Sequence, residues 1–321
     1  MLEYEKQYWS SNIVNIAGID EAGRGPLAGP VVASAIILPH DIKLPEVTDS
    51  KKITEKKREL LYVEIYKSAI SVGIGIVYEH EIDEKNILQS TYIAMRKAIG
   101  DLSIIPDMIM VDGNKADIKH YKQKNIINGD QKSLSIASAS IIAKVTRDRI
   151  MRQYDIVFPE YGFAKHKGYG TKQHINSILN FKATPIHRKS FNPIKKHLPS
   201  FAYYKRNYLI ERLGVQLYAC HIIKNNYKII EINYNVSKFR EIDIISRKDD
   251  KIIFTNILTF LINDEEKIYD IEEREIAESF KSCQHYMKEN ELKCVFKFNM
   301  GQVVLGVNKP KIKIIKEIHS E

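Results

Sequence analysis

Two carboxylates, Asp20 and Glu21, stand together where the apolar run "NIVNIAGID" (12–20) ends, and a Gly-Arg-Gly, Gly23 to Gly25, follows at once. Asp112 closes a second apolar run, "DMIMVDGN" (107–114), and Asp130 lies eighteen residues later in "NGDQKS". Strand ends are where α/β sheets gather their sites. Neighbouring strands would therefore bring up to four carboxylates together. Such a group repels itself unless a cation intervenes, and hard oxygen donors favour Mg²⁺ or Mn²⁺. Two such ions roughly 4 Å apart would activate a water and stabilise the leaving oxygen in phosphodiester hydrolysis. Singly, each acid has a plainer reading: Asp20 as a turn cap, Asp112 as the start of the "DGN" turn. Glu21 directly beside Asp20, straight after an apolar strand, is harder to assign to turn chemistry.

The charge distribution points to an anionic partner. The 321-residue chain carries a formal +9, and residues 131–200 alone hold 13 positive and 3 negative groups. A localised surplus of this kind is the footprint expected of a nucleic-acid-binding face. A lysine-rich solvated face is the alternative for the same residues. Together the acids and the basic surplus point to a metal-dependent nuclease.

Other features narrow the setting. Cys220, Cys283 and Cys294 form no repeating pattern, so neither a disulfide framework nor a zinc site is expected. The start, "MLEYEKQYWSSN", has no apolar core of a signal peptide. No stretch of eighteen apolar residues occurs, so no membrane span is expected. A cytoplasmic protein is the resulting expectation.

The elements that must position the acids alternate. Strands are expected at 12–20, 29–38, 71–78 and 107–114, and helices at 54–70 (Thr54 as N-cap), 81–102, 133–155 and 171–181. Alternation of this sort implies an α/β layer fold. Around 193–201, "PIKKHLPSF" breaks the pattern. Beyond it a helix at 202–213, three strand-like runs, a helix at 268–289 and strands "KCVFKFN" and "QVVLGV" imply a second, smaller α/β domain. The expected division is 1–200 and 201–321.

Six segments resemble bacterial ribonuclease HII, in that family's order: "GIDEAGRGPLAGPVVASAIIL" (18–38), "DSKKITEKKREL" (49–60), "VDGN" (111–114), "NGDQKSLSIASASIIAKVTRDRIM" (128–151), "FAKHKGYGTKQH" (163–174) and "HRKSF" (187–191). The resemblance covers about 13–192. It implies an RNase H-like fold, a mixed sheet flanked by helices with a short helical extension. It also implies an endonuclease that cuts the RNA strand of RNA–DNA hybrids and incises duplex DNA at embedded ribonucleotides, leaving 3′-hydroxyl and 5′-phosphate ends. By motif match the family's catalytic acids fall on Asp20, Glu21, Asp112 and Asp130. The 2′-hydroxyl is what distinguishes RNA from DNA at a site. In the family the Gly-Arg-Gly loop contacts that hydroxyl and the adjoining phosphate, which here means Gly23, Arg24 and Gly25. Tyr169 matches the tyrosine that stacks on the following deoxyribose, and Lys51 a phosphate-contacting lysine. Lys144 and Arg147 lie near one helix face and could hold backbone phosphates; His187, Ser190 and Phe191 are expected to meet the backbone too. A monomer is expected. The sister type, ribonuclease HIII, carries a substrate-binding domain first and lacks this Gly-Arg-Gly; a catalytic motif within twenty residues of Met1 favours HII.

Residues 203–260 faintly resemble YraN-type proteins of restriction-endonuclease-like fold, through "YLIERLG" (208–214) and "REIDIISRKDDKIIF" (240–254). That family pairs a Glu-Ile-Asp strand with a Glu-x-Lys strand. Glu241 and Asp243 match the first; Asn256 and Leu258 stand where the second is needed. The resemblance thus implies a degenerate, non-catalytic nuclease-like domain, with Asp243 a turn or surface acid.

Overall fold

The computed structural model describes residues 1–50, 52–113, 116, 118, 120–235, 239–262, 273–306 and 310–319. The chain divides into two compact units. The first comprises Met1–Met151, His166–Thr171 and Ile186–Lys196, the second Arg152–Lys165, Lys172–Pro185 and His197–Glu321.

The first unit holds α1 (Glu3–Trp9), β1 (Ile16–Ala22), β2 (Val31–Ile37), α2 (Glu55–Ser68), β3 (Ser71–Val77), α3 (Glu79–Lys85), α4 (Ile87–Gly100), β4 (Met108–Asp112) and β5 (Gln123–Ile126). A 3₁₀ turn, Gly129–Gln131, then leads into the long α5 (Leu134–Val157). The sheet order is β3-β2-β1-β4-β5. The first three strands are antiparallel neighbours, while β1–β4 and β4–β5 are parallel. Both faces are covered. Ile19, Ala33, Ala35 and Val111 pack with Ala94 and Ala98 of α4. Ile36 packs with Leu61 and Ile65 of α2 and Ile141 and Val145 of α5. Burial on both faces is why β1 and β2 read as continuous apolar runs instead of alternating ones.

Two local readings change. The helix expected at 81–102 is two helices, broken at Asn86, whose φ is 66° and whose side chain accepts the Gln89 N–H at 3.1 Å. Asn adopts positive φ more readily than most residues and caps helices well. The short polar strand β5 was not expected; it pairs parallel with β4 at the sheet edge.

The second unit contains α6 (Phe163–His166, whose last residue belongs to the first unit), α7 (Lys172–Phe181), α8 (Phe201–Arg206), α9 (Ile210–Lys224), β6 (Lys228–Tyr234), β7 (Ile242–Lys248), β8 (Lys251–Leu261), α10 (Glu273–Glu289), β9 (Phe296–Leu305) and β10 (Lys311–His319). These strands form a second mixed five-stranded sheet, β10-β9-β8-β7-β6, in which only β8–β9 is parallel. Phe254 and Phe298 of the sheet pack with Cys283 and Tyr286 of α10. The two strands expected at 293–299 and 302–307 are one, β9, which runs through Gly301. The lysine-rich edge strand β10 was not expected. The helix expected at 202–213 is interrupted after Arg206 and resumes as α9. Segments 152–165 and 172–185, ahead of residue 200 in sequence, group with the second unit. Gln153 Oε1 accepts the Ile229 N–H at 2.5 Å, and Arg212 pairs with Glu160. Among the described residues no helix is long and apolar enough to cross a membrane, and none of the three cysteines is in a disulfide.

Candidate active site

The parallel β1–β4 register pairs Ile19 with Val111, so the next residues, Asp20 inside β1 and Asp112 at the end of β4, stand on adjacent strands. Asp20 is buried, and its Oδ1 accepts the Glu21 N–H at 2.7 Å. Burial raises its carboxyl well above the ordinary carboxylate value; repulsion from Glu21 and Asp112 adds to this, and a hydrogen bond with Ser140 offsets part. Glu21 is raised too, by burial first; Arg24, whose Nη1 donates to Glu21 Oε1 at 3.1 Å, pulls it back, and Asp112 pushes it up. Asp112 Oδ1 accepts the Gly129 N–H at 2.6 Å. Asp130, buried, is the next residue of that 3₁₀ turn. Three acids therefore feel one another directly, and the fourth follows the amide that holds Asp112.

These carboxylates fit a hard divalent cation by donor type, and their mutual repulsion is what a cation would relieve. Among the described residues no three His, Cys, Asp or Glu side chains form a group able to hold one ion by themselves. Mg²⁺ is commonly held by one or two carboxylates, with waters and substrate phosphate completing its shell. That is the arrangement this geometry allows.

The support beneath the acids comes from α5 and α1. An added Cβ at Gly18 would lie 2.3 Å from the Ser135 backbone, so only glycine lets α5 approach β1 this closely two residues before Asp20. Ser140 Oγ, besides meeting Asp20, lies 2.9 Å from Ser50 Oγ. Glu5 is 1% exposed; its Oε1 accepts from Ser133 Oγ at 2.7 Å, Ser135 N at 3.0 Å and Ser135 Oγ at 2.8 Å. A carboxylate at a helix N-terminus satisfies orphan amides and matches the helix dipole. The Ser133 N–H in turn bonds the Gly129 carbonyl at 2.8 Å. Glu5 thus holds the turn that carries Asp130. Its part was not visible in sequence, because an acid in "MLEYEKQYW" reads as a solvated surface residue.

The loop after Glu21 is clamped from within by two arginines. Arg147, 1% exposed, donates to the carbonyls of Pro30 (2.8 Å), Lys167 (2.9 Å) and Ala28 (3.1 Å). Arg188, also buried, donates to Gly29 (3.0 Å), Arg24 (2.9 Å) and Gly23 (2.5 Å). Desolvation pulls Arg147 down to about 10 and Arg188, with Arg147 alongside, to about 9, so both stay charged at neutral pH. Gly23 has φ 104°, and a Cβ there would meet Arg147 Nε at 2.2 Å. It is therefore packed inward, while Arg24 and Gly25 are exposed. Tyr169, 46% exposed, is their neighbour: a Cβ on Gly25 would stand 3.7 Å from its ring.

Several expected contacts are corrected. Arg147 does not offer its guanidinium to phosphates, because carbonyls occupy it. In "HRKSF", His187 is fully buried, Ser190 Oγ donates to Asp83 at 2.6 Å and Phe191 lies under Arg188. That motif anchors the loop through His187 and Arg188 and leaves Ser190 exposed, and Arg188 was overlooked because a basic residue in a basic run looks solvated. Lys144 is half-buried and pairs with Asp148 at 2.6 Å; burial lowers its ammonium and Asp148 offsets part. Lys51 lies outside the described residues.

The second sheet has its own polar centre. Asp243 Oδ2 accepts the Ile257 N–H at 2.6 Å, and burial raises its carboxyl to about 6. Asn256 accepts from Asp243 N (3.2 Å) and donates to Glu241 O (3.2 Å) and Ser279 Oγ (3.2 Å). Asp243 is therefore built into the sheet and is not a surface acid.

A mixed five-stranded sheet covered by helices, with carboxylates on two adjacent parallel strands, defines an RNase H-like fold. The Ribonuclease HII family profile matches residues 17–194, and the chain belongs to that family. It is accordingly a ribonuclease H, an endonuclease that hydrolyses phosphodiester bonds. It is 56% identical over 191 residues to Ribonuclease HII of Acetivibrio thermocellus, covering 60% of this chain and 75% of that one. It is 53% identical to Ribonuclease HII of Syntrophus aciditrophicus, covering 60% and 90%. Among solved structures it resembles ribonuclease H2 from Pyrococcus horikoshii, with a TM-score of 0.50 and 27% identity over 57% of this chain and 96% of that one.

Proposed function

We propose that the enzyme cuts the RNA strand of RNA–DNA hybrids and incises duplex DNA at embedded ribonucleotides, leaving 5′-phosphate and 3′-hydroxyl ends. Asp20, Glu21, Asp112 and Asp130 would hold Mg²⁺ or Mn²⁺. Two such ions, when bound, would supply an activated water and stabilise the leaving oxygen. The observation that carries this reading is the mutually repelling group of buried Asp20 and half-buried Glu21 and Asp112, set together where β4 ends beside β1. An excess of negative charge in a buried site calls for cations and leaves no need for a side-chain base.

The chain's own residues select and place the strand. Arg24 and Gly25 face outward beside the acids and would read the 2′-hydroxyl and its phosphate. Tyr169, next to Gly25, would stack on the following deoxyribose. Gly23 serves the same loop from beneath, through the carbonyl it gives to Arg188. Lys51 and the half-buried Lys144 are the remaining candidates for phosphate contacts. The family match ends at residue 194, which supports a catalytic region within 1–200; residues 201–321 would have no nuclease chemistry of their own. Cysteines outside any disulfide suit a reducing cytoplasm, where the protein would act as a monomer.

The test is cleavage of a duplex containing one ribonucleotide, with Mg²⁺ or Mn²⁺. The wild-type chain should incise at the ribonucleotide, and Asp20→Asn should bind the duplex without cutting it. Near wild-type cutting by Asp20→Asn would overturn the assignment.

A further inference from the structure

The second sheet places three buried polar side chains on consecutive strands: Ser246 of β7, Thr255 of β8 and Asn299 of β9. Thr255 and Asn299 are direct partners across the parallel β8–β9 ladder. A cavity of about 210 Å³ is lined by all three, by Tyr227 and by Lys248 and Lys313. Asn299 is 3% exposed, and its amide oxygen has no hydrogen-bond partner among the described residues. Buried polar atoms are nearly always paired, so this acceptor calls for a donor from whatever fills the space. One water needs only about 10–15 Å³, so a single bound water does not account for the cavity.

The rest of the wall narrows the ligand. Lys248 Nζ sits 4.5 Å from the centre of the Tyr227 ring, and among the described residues no carboxylate lines the cavity. The lining thus carries two lysines, aromatic rings, hydroxyl and amide groups and a histidine, set among four isoleucines. A matching ligand carries an anion for the lysines, hydroxyl donors for Asn299 and Thr255, and a flat group for Tyr227. We propose that this cavity binds a ribonucleotide by its sugar-phosphate end, with phosphate at Lys248 and Lys313 and a ribose hydroxyl donated to Asn299. This site lies wholly within the second unit and does not depend on the catalytic assignment. A free nucleotide and the 5′-terminal nucleotide of a strand share this chemistry.

The experiment is titration calorimetry on the full chain with EDTA present. The probes are uridine and adenosine 5′-monophosphate, and a 5′-phosphorylated tetraribonucleotide. Binding of the monophosphates identifies a free nucleotide as sufficient; binding of the tetraribonucleotide alone identifies a strand end. In either case Lys248→Met/Lys313→Met should weaken binding at least tenfold, with the thermal midpoint unchanged. Thr255→Val, which removes one hydroxyl and keeps the volume, should weaken it severalfold. No binding by any probe at millimolar concentration, or binding unaltered in the double lysine variant, would overturn the proposal.

Discussion

Both sheets have five strands and both set a polar pair at neighbouring strand positions, yet the pairs differ in how charge is handled. In the first, Asp20 and Asp112 are two acids on parallel strands, with Glu21 adding a third; burial raises Asp20 and Glu21, and Asp112 repels both. In the second, Asp243 faces Asn256, and the amide takes and gives hydrogen bonds that a second carboxylate could not. One side of the comparison is a site held at an electrostatic cost; the other is a joint in the sheet. Unrelieved repulsion marks a place where folding has been compromised for chemistry.

The sharpest way to break this comparison is Asp20→Asn. Loss of a cation-binding carboxylate worth several kcal/mol should slow cleavage about a thousandfold or more at 1.36 kcal/mol per tenfold. The same variant should melt higher than wild type at pH 8 in EDTA. Its raised folded carboxyl makes native protein the better proton binder, so wild-type stability falls as pH climbs above the unfolded value near 3.9. Below that value the two proteins should melt alike. Equal melting at pH 8 would show that the acids carry no such cost.

Next in size is Arg147→Met, which strands three carbonyls and should cost roughly 3–5 kcal/mol in urea unfolding. Arg147→Lys should recover little of it, since one ammonium cannot span three acceptors. Glu5→Ala should cost about 1–3 kcal/mol and lower kcat by less than Asp20→Asn does. In the second sheet, Asn256→Asp loses the donations to Glu241 and Ser279 and sets a charge against Asp243. It should cost roughly 1–3 kcal/mol at pH 8 without any gain of cleavage. A gain in stability, not a loss, is expected for Asp243→Asn. With a folded value of about 6, wild type loses stability between about pH 4 and 6. The variant should therefore gain up to roughly 3 kcal/mol above pH 6 and nothing at pH 4.

The meeting of Asp20, Glu21 and Asp112 was legible because the Asp20–Glu21 pair and Asp112 each stand directly after a run of apolar strand residues, a feature that spacing reveals. The two sheets were legible from β-branched runs, and α2 from Thr54, whose side chain does accept the Lys57 N–H. What was hidden shares one physical cause: its burial is decided by distant partners. Arg147, Arg188 and Glu5 are charged residues that sequence patterning assigns to solvent, and their partners lie 117, 164 and 130 positions away. Strands β5 and β10 were hidden because edge strands need no apolar face.

The path of the chain carries a further consequence. The segments 166–171, with Tyr169, and 186–196, with Arg188, belong to the first unit but are flanked on either side by stretches folded into the second. Neither can be released or seated without its flanks following. Heating should then give one melting event and not two, and a stop codon at residue 200 would strip 152–165 and 172–185 of partners such as Ile229 and Arg212. Cutting the tail away would in that sense unmoor the aromatic ring beside Arg24 and Gly25.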